Sequence, residues 1–566
     1  MKIQHTLPFL ICTAIIIFFL SIVLKNSVNI PNGDDLYCLM LFTQQFQDAS
    51  GFGEHFKLLT EQWIEHRIVY SRLTALVSYW IHGQVNFLTI IMIGNLTLIG
   101  FTILFWKLLK RTGVSMYYLI PVVLTLFSPV MYEASVWAGA STVYMPVCFL
   151  GLLTVYLLAM QSRLSFVIAT AAAMLATFSF GNGMFSFVAG LFILIYQKKY
   201  KYAAIWAIIA LGTVGFYFYQ FQDNSNTDAF GLAAHFKYPA YLFYNLFGFI
   251  GGTADYLENL NMPFQRNNIP TILFGFALSV AILSGIYYSF LRKSAAKEYK
   301  NDNFLKTAWL GMVIFIGVTS LAMAYSRTSG EAMNALSSRY KIYSMISFIL
   351  VYVWFLMFFQ KKALIGWLFG SFSLLLLLFN YFLHYEKIVN YKSVFLSGSF
   401  NYHTDKQWVI YRNTAYYERV SKLLCDSISK NPKPVYTFFN SFPELNYQTL
   451  KAAGVLDKVQ ISEESNAPGR AGRWLTVQSN QYPKISNFHK GVYLVVYNEQ
   501  NIFLFPASTV KNGRLNILTK GDYFKNGFFL DDNFDKILKP GAEYKLAVFC
   551  PTDSKPVVLL DYKIKG

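Results

Sequence analysis

The sequence predicts a polytopic α-helical membrane protein that carries a separate, water-soluble domain at its C-terminal end. Of its 566 residues, 55% are hydrophobic and only 14% are charged, whereas about 25% of the residues of an ordinary soluble protein are charged. Long apolar runs recur up to residue 385, and from about residue 390 the composition becomes mixed. We therefore predict a membrane domain over 1–385 and a soluble domain over 386–566.

Eleven spans are predicted from runs that approach the roughly 20 apolar residues a helix needs to cross a bilayer. These runs are 7–24, 87–106, 114–130, 143–160, 164–180, 184–197, 202–220, 269–291, 307–325, 342–359 and 363–383. The apolar segment 238–252 is shorter and rich in aromatic residues and glycine. It is predicted to be re-entrant or interfacial, not to span.

The distribution of basic residues predicts the orientation of these spans. With eleven spans, the clusters at 107–111, 198–201, 292–300 and 361–362 fall on the same side as Lys2, which the positive-inside rule assigns to the cytoplasm. The first loop, 26–85, and the C-terminal domain are then extracytoplasmic. The net charge of +18 therefore reflects topology, and we expect no nucleic-acid partner.

The C-terminal domain is predicted to be an α+β or β-sandwich module. A helical pattern covers 411–429, and alternating apolar stretches at 491–497, 502–505 and 547–549 are typical of strands. About 170 residues are enough for one folded core.

Two adjacent carboxylates, Asp34 and Asp35, directly follow the first span within the segment 31–37. Neighbouring carboxylates oppose each other's ionisation, so one of them is a candidate general base for a sugar hydroxyl. The alternative is a loop turn or the N-cap of the next helix.

The first loop continues as an amphipathic pattern from 54 to 72, which is typical of an interfacial helix. Within it, His66 is a candidate contact to the sugar or the acceptor, and Arg67 and Arg72 are candidate ligands of the donor phosphate. The alternative for the charged residues is a set of surface ion pairs. His66 lacks a second histidine at metal-ligand spacing, so the sequence gives little support to a metal site here.

Arg327, Arg339 and Lys341 lie between two strong spans on the predicted outer side, against the positive-inside tendency. Guanidinium forks bind phosphate or pyrophosphate well, so these residues are candidate phosphate ligands. The alternative is an Arg327–Glu331 ion pair at helical spacing together with snorkelling of Lys341.

Two small outer loops supply candidate sugar contacts at membrane level. Trp137 and Tyr144 offer aromatic faces, and Glu133 and Asn182 offer hydrogen-bonding groups. The alternative is that they are interface anchors and helix breaks.

The segment Gly33–Tyr37, the helix-like stretch to Arg72 and the later Arg327 and Ser338–Tyr340 together resemble the GT-C superfamily of membrane glycosyltransferases. The likeness covers about residues 1–385. It implies inverting transfer of a sugar from a polyprenyl-phosphate donor to a glycan, lipid or protein acceptor on the outer face of a bacterial cytoplasmic membrane, in the modification of surface polysaccharide.

The resemblance also implies roles for particular residues. Asp34 or Asp35 would be the base, and Arg327 and Arg339, with Arg67 or Arg72, would hold the departing phosphate. Some members use a divalent metal at the acidic motif, and the two aspartates with no clear third ligand leave that cofactor open.

Other functions agree with the same pattern of spans. A polysaccharide polymerase or a transporter of lipid-linked glycans would also have many spans and basic outer residues. A transporter is disfavoured, because the sequence shows neither charges in mid-span nor a repeat of two halves. A non-enzymatic, membrane-anchored binding protein is the third alternative. It would gain support if Asp34 and Asp35 proved dispensable, whereas an enzyme would need one of them.

Overall fold

The structure is a computed structural model that describes most of the chain. The described residues are 3–222, 239–255, 268–291, 303–328, 334–406, 428, 430–456, 459–465, 472–534 and 537–566.

The helices are numbered in chain order. They are α1 Ile3–Asn26, α2 Phe42–Asp48, α3 Gly51–Thr60, α4 Val69–His82, α5 Phe87–Arg111, α6 Ile120–Leu126, α7 Tyr132–Val136, α8 Ala138–Ala159, α9 Arg163–Ser179, α10 Phe185–Tyr196, α11 Tyr200–Phe218, α12 Pro239–Gly251, α13 Ile269–Ile286, α14 Asn303–Arg327, α15 Lys341–Phe358, α16 Lys362–Asp405, α17 Tyr447–Lys451 and α18 Arg514–Lys520. Short 3₁₀ turns at Met116–Leu119, Pro129–Met131, Gly181–Met184, Gly252–Ala254, Asn334–Leu336 and Ser338–Tyr340 join or extend them. Two segments, Leu36–Leu41 and Tyr287–Leu291, are π-helical.

The described part of the chain contains nine helical segments long and apolar enough to cross a membrane, and the protein is a polytopic helical membrane protein as predicted. They are Thr6–Asn26, Phe87–Arg111, Met116–Val136, Ala138–Ala159, Tyr200–Phe218, Ile269–Ser289, Asn303–Arg327, Ser338–Phe358 and Lys362–Asp405. Two further apolar helices, Arg163–Ser179 and Gly181–Tyr196, are shorter and coincide with the remaining two predicted spans.

The first predicted loop is not one continuous amphipathic helix. A two-stranded hairpin, β1 Gln62–Trp63 and β2 His66–Arg67, interrupts it between α3 and α4. Ile64 in the hairpin turn has a positive φ of 50°, which a β-branched residue adopts only where the surrounding structure requires it. The hairpin therefore gives His66 and Arg67 fixed positions.

The chain divides into two compact units. The membrane unit contains 1–25, 45–78 and 88–383, and the second unit contains 26–44, 79–87 and 384–566. The second unit thus takes in both ends of the predicted first loop, including Asp34 and Asp35. Its boundary at 383/384 falls inside α16, which continues well past the predicted end of the last span.

The C-terminal region is β-rich, as predicted. Its strands are β3 Gln460–Ser465, β4 Arg473–Ser479, β5 Val492–Tyr497, β6 Ile502–Ala507, β7 Phe528–Asn533, β8 Glu543–Phe549 and β9 Val557–Lys565. They form two antiparallel sheets, one ordered β3-β4-β7 and the other β6-β5-β8-β9.

One hydrophobic core lies between the two sheets, formed by residues such as Val477 of one sheet and Val492 and Val496 of the other. The opposite face of the four-stranded sheet packs against Phe400 of α16 and Phe442. This arrangement is a sandwich with a helical layer on one side. The predicted helix at 411–429 lies almost wholly outside the described residues.

Candidate functional site

Two arginines from different chain segments contact the same buried tyrosine ring. Arg327 is the last residue of α14, and Arg339 lies in the 3₁₀ turn that precedes α15. Their guanidinium carbons lie 5.8 Å and 5.4 Å from the centre of the Tyr340 ring, within the range of a cation–π contact. The structure thus brings together two of the predicted phosphate ligands.

A row of aromatic rings links this arginine pair to the β1–β2 hairpin. Tyr144 of α8 packs edge-on against Tyr340 at 5.1 Å and against Phe180 at 5.3 Å between ring centres. Phe180 in turn contacts the His66 ring at 3.8 Å. Two of the predicted sugar-contact residues, His66 and Tyr144, therefore belong to the same cluster as the arginines.

His66 is a neutral imidazole in this environment. Burial, and secondarily the positive charge of Arg327, lower the pKa of His66 from 6.5 to about 3. Its Nδ1 atom is buried and has no hydrogen-bond partner among the described residues. A neutral histidine has one donor and one acceptor nitrogen, so His66 is able to hydrogen-bond a hydroxyl group without adding charge.

Asn182 joins the cluster through the break between α9 and α10. Its amide nitrogen donates a hydrogen bond of 2.7 Å to the hydroxyl of Tyr343, and its buried Oδ1 atom has no partner within the described part of the chain. Gly181 makes the approach of the hairpin feasible, because a Cβ there would lie 3.2 Å from Nδ1 of His66. At Gly183 a Cβ would lie 2.0 Å from a backbone oxygen of α9, so only glycine fits.

Glu133 holds the turn that carries Arg339. Its Oε2 atom accepts hydrogen bonds from the hydroxyls of Ser337 at 3.0 Å and Ser338 at 2.9 Å. The Ser338 hydroxyl also accepts the backbone N–H of Glu133 at 3.2 Å. The sequence predicted Glu133 as a sugar contact, but these bonds make it a positioning residue for the arginine turn. Trp137 is half-buried at the junction of α7 and α8, one turn after Glu133.

Lys341 does not join the arginine pair as predicted. Its ammonium group forms a 2.8 Å ion pair with Asp255, and both side chains are only 1% exposed. The carboxylate therefore neutralises the lysine charge locally. The structure supports a structural ion pair for Lys341, and its predicted role as a phosphate ligand stays a prediction.

Arg67 and Arg72, two further predicted phosphate ligands, both donate to backbone carbonyls in this structure. Arg67 donates to the backbone carbonyls of Tyr217 at 2.8 Å, of Tyr219 at 2.9 Å and of Thr60. Arg72 donates to the carbonyls of Leu59 and Glu61 at 3.1 Å and 2.6 Å. Charged donors thereby satisfy carbonyls at the end of α3, namely those of Leu59, Thr60 and Glu61, and at the end of α11, namely those of Tyr217 and Tyr219.

The acidic pair lies in the second unit, and its two members differ in exposure. Asp35 is 1% exposed and its Oδ2 atom accepts the backbone N–H of Asn32 at 3.1 Å. Asp34 is exposed, in a turn that begins at Gly33 with a φ of 52°. The turn alternative therefore describes Asp35 well, whereas the Asp34 carboxylate is accessible for chemistry.

Sequence reasoning missed Phe180 and Ser337, and it gave Ser338 and Tyr340 no role beyond the motif that carries the resemblance. An aromatic residue at the start of a span is usually an interface anchor, so the sequence does not single out the Tyr340 ring as a contact of two arginines. Among the described residues, no group of three or more His, Cys, Asp or Glu side chains is placed to hold a metal ion.

Comparisons with protein-family models, with curated proteins and with solved structures each gave no match to this chain.

Proposed function

We propose that this protein is a membrane glycosyltransferase, and that Arg327 and Arg339 hold the phosphate of a polyprenyl-phosphate sugar donor. The observation that supports the proposal best is the convergence of two guanidinium groups on the Tyr340 ring. The proposal also rests on the resemblance of the membrane part to the GT-C superfamily.

An anionic ligand is the partner that this charge arrangement favours. Two guanidinium groups held beside one ring repel each other, and an anion between them would reduce that repulsion. The Nε atom of Arg327 is buried and has no acceptor among the described residues, which do not include 329–333. A phosphate oxygen would satisfy that donor and bring a compensating charge.

The groups around the arginines favour a sugar next to the phosphate. His66 is neutral, and the Oδ1 atom of Asn182 is an acceptor with no partner in the described part of the chain. Leaving a buried polar atom without a hydrogen bond costs about 1–3 kcal/mol. Sugar hydroxyls would supply the missing bonds, and the Tyr144 ring offers an apolar face to a pyranose.

In the proposed reaction an acceptor hydroxyl oxygen attacks the anomeric carbon of the donor. The bond from that carbon to the phosphate oxygen breaks, and polyprenyl phosphate leaves with the bonding electrons. The acceptor proton passes to a general base, a role that the family resemblance gives to Asp34 or Asp35; of these, Asp34 is exposed, whereas Asp35 is buried and accepts a backbone N–H. A single displacement of this kind inverts the anomeric configuration.

The proposed setting is the cytoplasmic membrane of a bacterium. Eleven spans, an odd number, would put the two termini on opposite sides of it. The two shorter helices, α9 and α10, would complete the count with the nine longer ones. The N-terminus would then be cytoplasmic and the C-terminal domain extracytoplasmic, because the basic loops share one side. A reporter that is active only in the cytoplasm can be fused after Gly566. Activity of that fusion would overturn this orientation.

Direct binding of a short-chain polyprenyl phosphate to the purified full chain tests the phosphate site. A hydrogen bond to a charged group contributes about 1.5–3 kcal/mol, so we expect Arg327→Ala and Arg339→Ala each to weaken binding by roughly 10- to 100-fold. The matched control is Arg163→Ala, which removes an exposed arginine at the start of α9. Equal affinity in all three variants would return the pair to a structural role.

A transfer assay with a labelled polyprenyl-phosphate sugar then separates the enzyme from the other functions. Release of polyprenyl phosphate together with a labelled acceptor supports the glycosyltransferase. Donor binding without any bond cleavage would instead favour a transporter or a non-enzymatic binding protein. Polymerisation of a lipid-linked oligosaccharide, without use of a single-sugar donor, would favour the polymerase.

A further inference from the structure

A mainly apolar groove of about 450 Å³ lies in the membrane unit between the 116–126 segment and the first turns of α16. Its walls include Ile120, Pro121 and Leu124 on one side and Gly366, Gly370 and Leu374 on the other. This groove involves no residue of the arginine cluster, and the function proposed above makes no use of it.

Two hydrogen bonds lie near the two ends of the groove. At one end the ammonium group of Lys362 donates to the backbone carbonyl of Thr112. At the other end the hydroxyls of Thr125 and Ser373 lie 3.2 Å apart and share a hydrogen bond.

Two glycines one helical turn apart set the depth of the groove. A Cβ at Gly366 would lie 2.9 Å from the Tyr118 ring, so glycine is needed for that close approach. A Cβ at Gly370 would have only Pro121 within 4 Å, at 3.8 Å, so there is unfilled space beside it. The groove is therefore a gap in the packing that glycine leaves open, and not merely an uneven surface.

The mouth of the groove differs chemically from its interior. Ser115 and Tyr117 line the groove at this end, and Lys361 is exposed two residues before the lining residue Ala363. Trp367, also in the lining, is 77% exposed. Tryptophan and tyrosine beside lysine are typical of the level of lipid headgroups.

We propose that this groove binds one acyl chain of an anionic glycerophospholipid, with the lipid phosphate at the Lys361 end. The apolar walls favour a hydrocarbon chain through van der Waals packing in the gap, since a lipid tail gains little from leaving one apolar medium for another. The basic mouth favours an anionic headgroup over a zwitterionic one. A partner helix does not fit, because a helix with its side chains is about 10 Å wide and needs a longer, broader face than this cavity offers.

Lipid binding to the purified full chain in detergent tests the proposal. The probes are phosphatidylglycerol and phosphatidylcholine with identical chains, followed by native mass spectrometry and by the midpoint of thermal unfolding. We expect phosphatidylglycerol to bind about tenfold more tightly than phosphatidylcholine and to raise the unfolding midpoint. Lys361→Gln is expected to reduce that preference while leaving chain-dependent binding in place.

Filling the groove provides the decisive variant. Gly370→Leu should occupy the gap and abolish the lipid-induced shift, whereas the matched control Gly317→Leu, where nothing lies within 4 Å of an added Cβ, should keep it. Ser371→Leu, at another lining position, serves if Gly370→Leu does not fold. Wild-type lipid binding in both groove variants, or equal binding of the two lipids to the wild type, would overturn the proposal.

Discussion

The buried ion pair between Lys341 and Asp255 yields a prediction about stability. Lys341→Met removes the ammonium group and leaves a carboxylate that is 1% exposed, with its 2.8 Å partner gone. Removing one member of a buried pair typically costs about 3–5 kcal/mol, because the remaining charge is uncompensated. We therefore expect the unfolding midpoint in detergent to fall by roughly 2–4 °C, since the entropy of unfolding of a chain of this length is about 1.2 kcal/mol/K.

The controls separate this role from phosphate binding. The matched variant is Lys110→Met, which removes an exposed lysine at the end of α5 and should leave the midpoint within about 1 °C. The double variant Lys341→Met with Asp255→Leu should recover most of the loss, because no isolated charge remains. If Lys341→Met unfolds like the wild type but no longer binds polyprenyl phosphate, then Lys341 is a phosphate ligand and the structural interpretation is wrong.

Further predictions concern the arginine cluster and the acidic pair. Arg339→Ala should weaken polyprenyl-phosphate binding more than Arg339→Lys, since lysine keeps the charge but loses the fork; equal affinities in a binding titration would argue against bidentate contact. Because the pKa of His66 is lowered from 6.5 to about 3, the folded state resists its protonation, and stability should be lost as the pH falls from 6.5 toward 3. In His66→Phe the midpoint of thermal unfolding should depend less on pH over this range. An unchanged pH dependence in that variant would contradict the prediction. Glu133→Ala should destabilise the chain by about 1.5–3 kcal/mol for each charged hydrogen bond lost, measured by denaturation, with Glu133→Gln closer to wild type. Asp34→Asn should lower transfer by about 10²- to 10⁴-fold without loss of stability, whereas Asp35→Asn should mainly lower stability; the reverse pattern in a labelled-donor assay would exchange their roles.

Hydropathy predicted the membrane helices but not where they end. The run 87–106 became Phe87–Arg111, because Lys107, Lys110 and Arg111 continue the helix while their charged ends reach water. The run 363–383 became a helix that extends to Asp405. An apolar run reports the part of a helix in contact with lipid or core, whereas backbone hydrogen bonding continues beyond it.

The partners of charged residues could not be predicted, because they come from distant parts of the chain. Asp255 lies 86 residues before Lys341, and the Tyr217 carbonyl lies 150 residues after Arg67. A sequence shows that an outer arginine or lysine needs a partner, but it does not show whether a carboxylate, a carbonyl or a ligand supplies it.

The choice between Asp34 and Asp35 depends on the local turn. The sequence gives no strong ground for either carboxylate, because adjacent side chains point in different directions and either could face solvent. The positive φ of Gly33 sets that turn, leaving Asp34 exposed and Asp35 buried. Such a backbone detail has no signature beyond the presence of a glycine.

An experimental structure of the full chain with a bound polyprenyl-phosphate sugar tests the central claim most directly. We predict density for the phosphate in contact with the guanidinium groups of Arg327 and Arg339, and the sugar within hydrogen-bonding distance of His66 or Asn182. The Lys341–Asp255 ion pair should remain intact in that complex. A phosphate bound elsewhere, with the two arginines still beside Tyr340 and without an anion, would contradict the account.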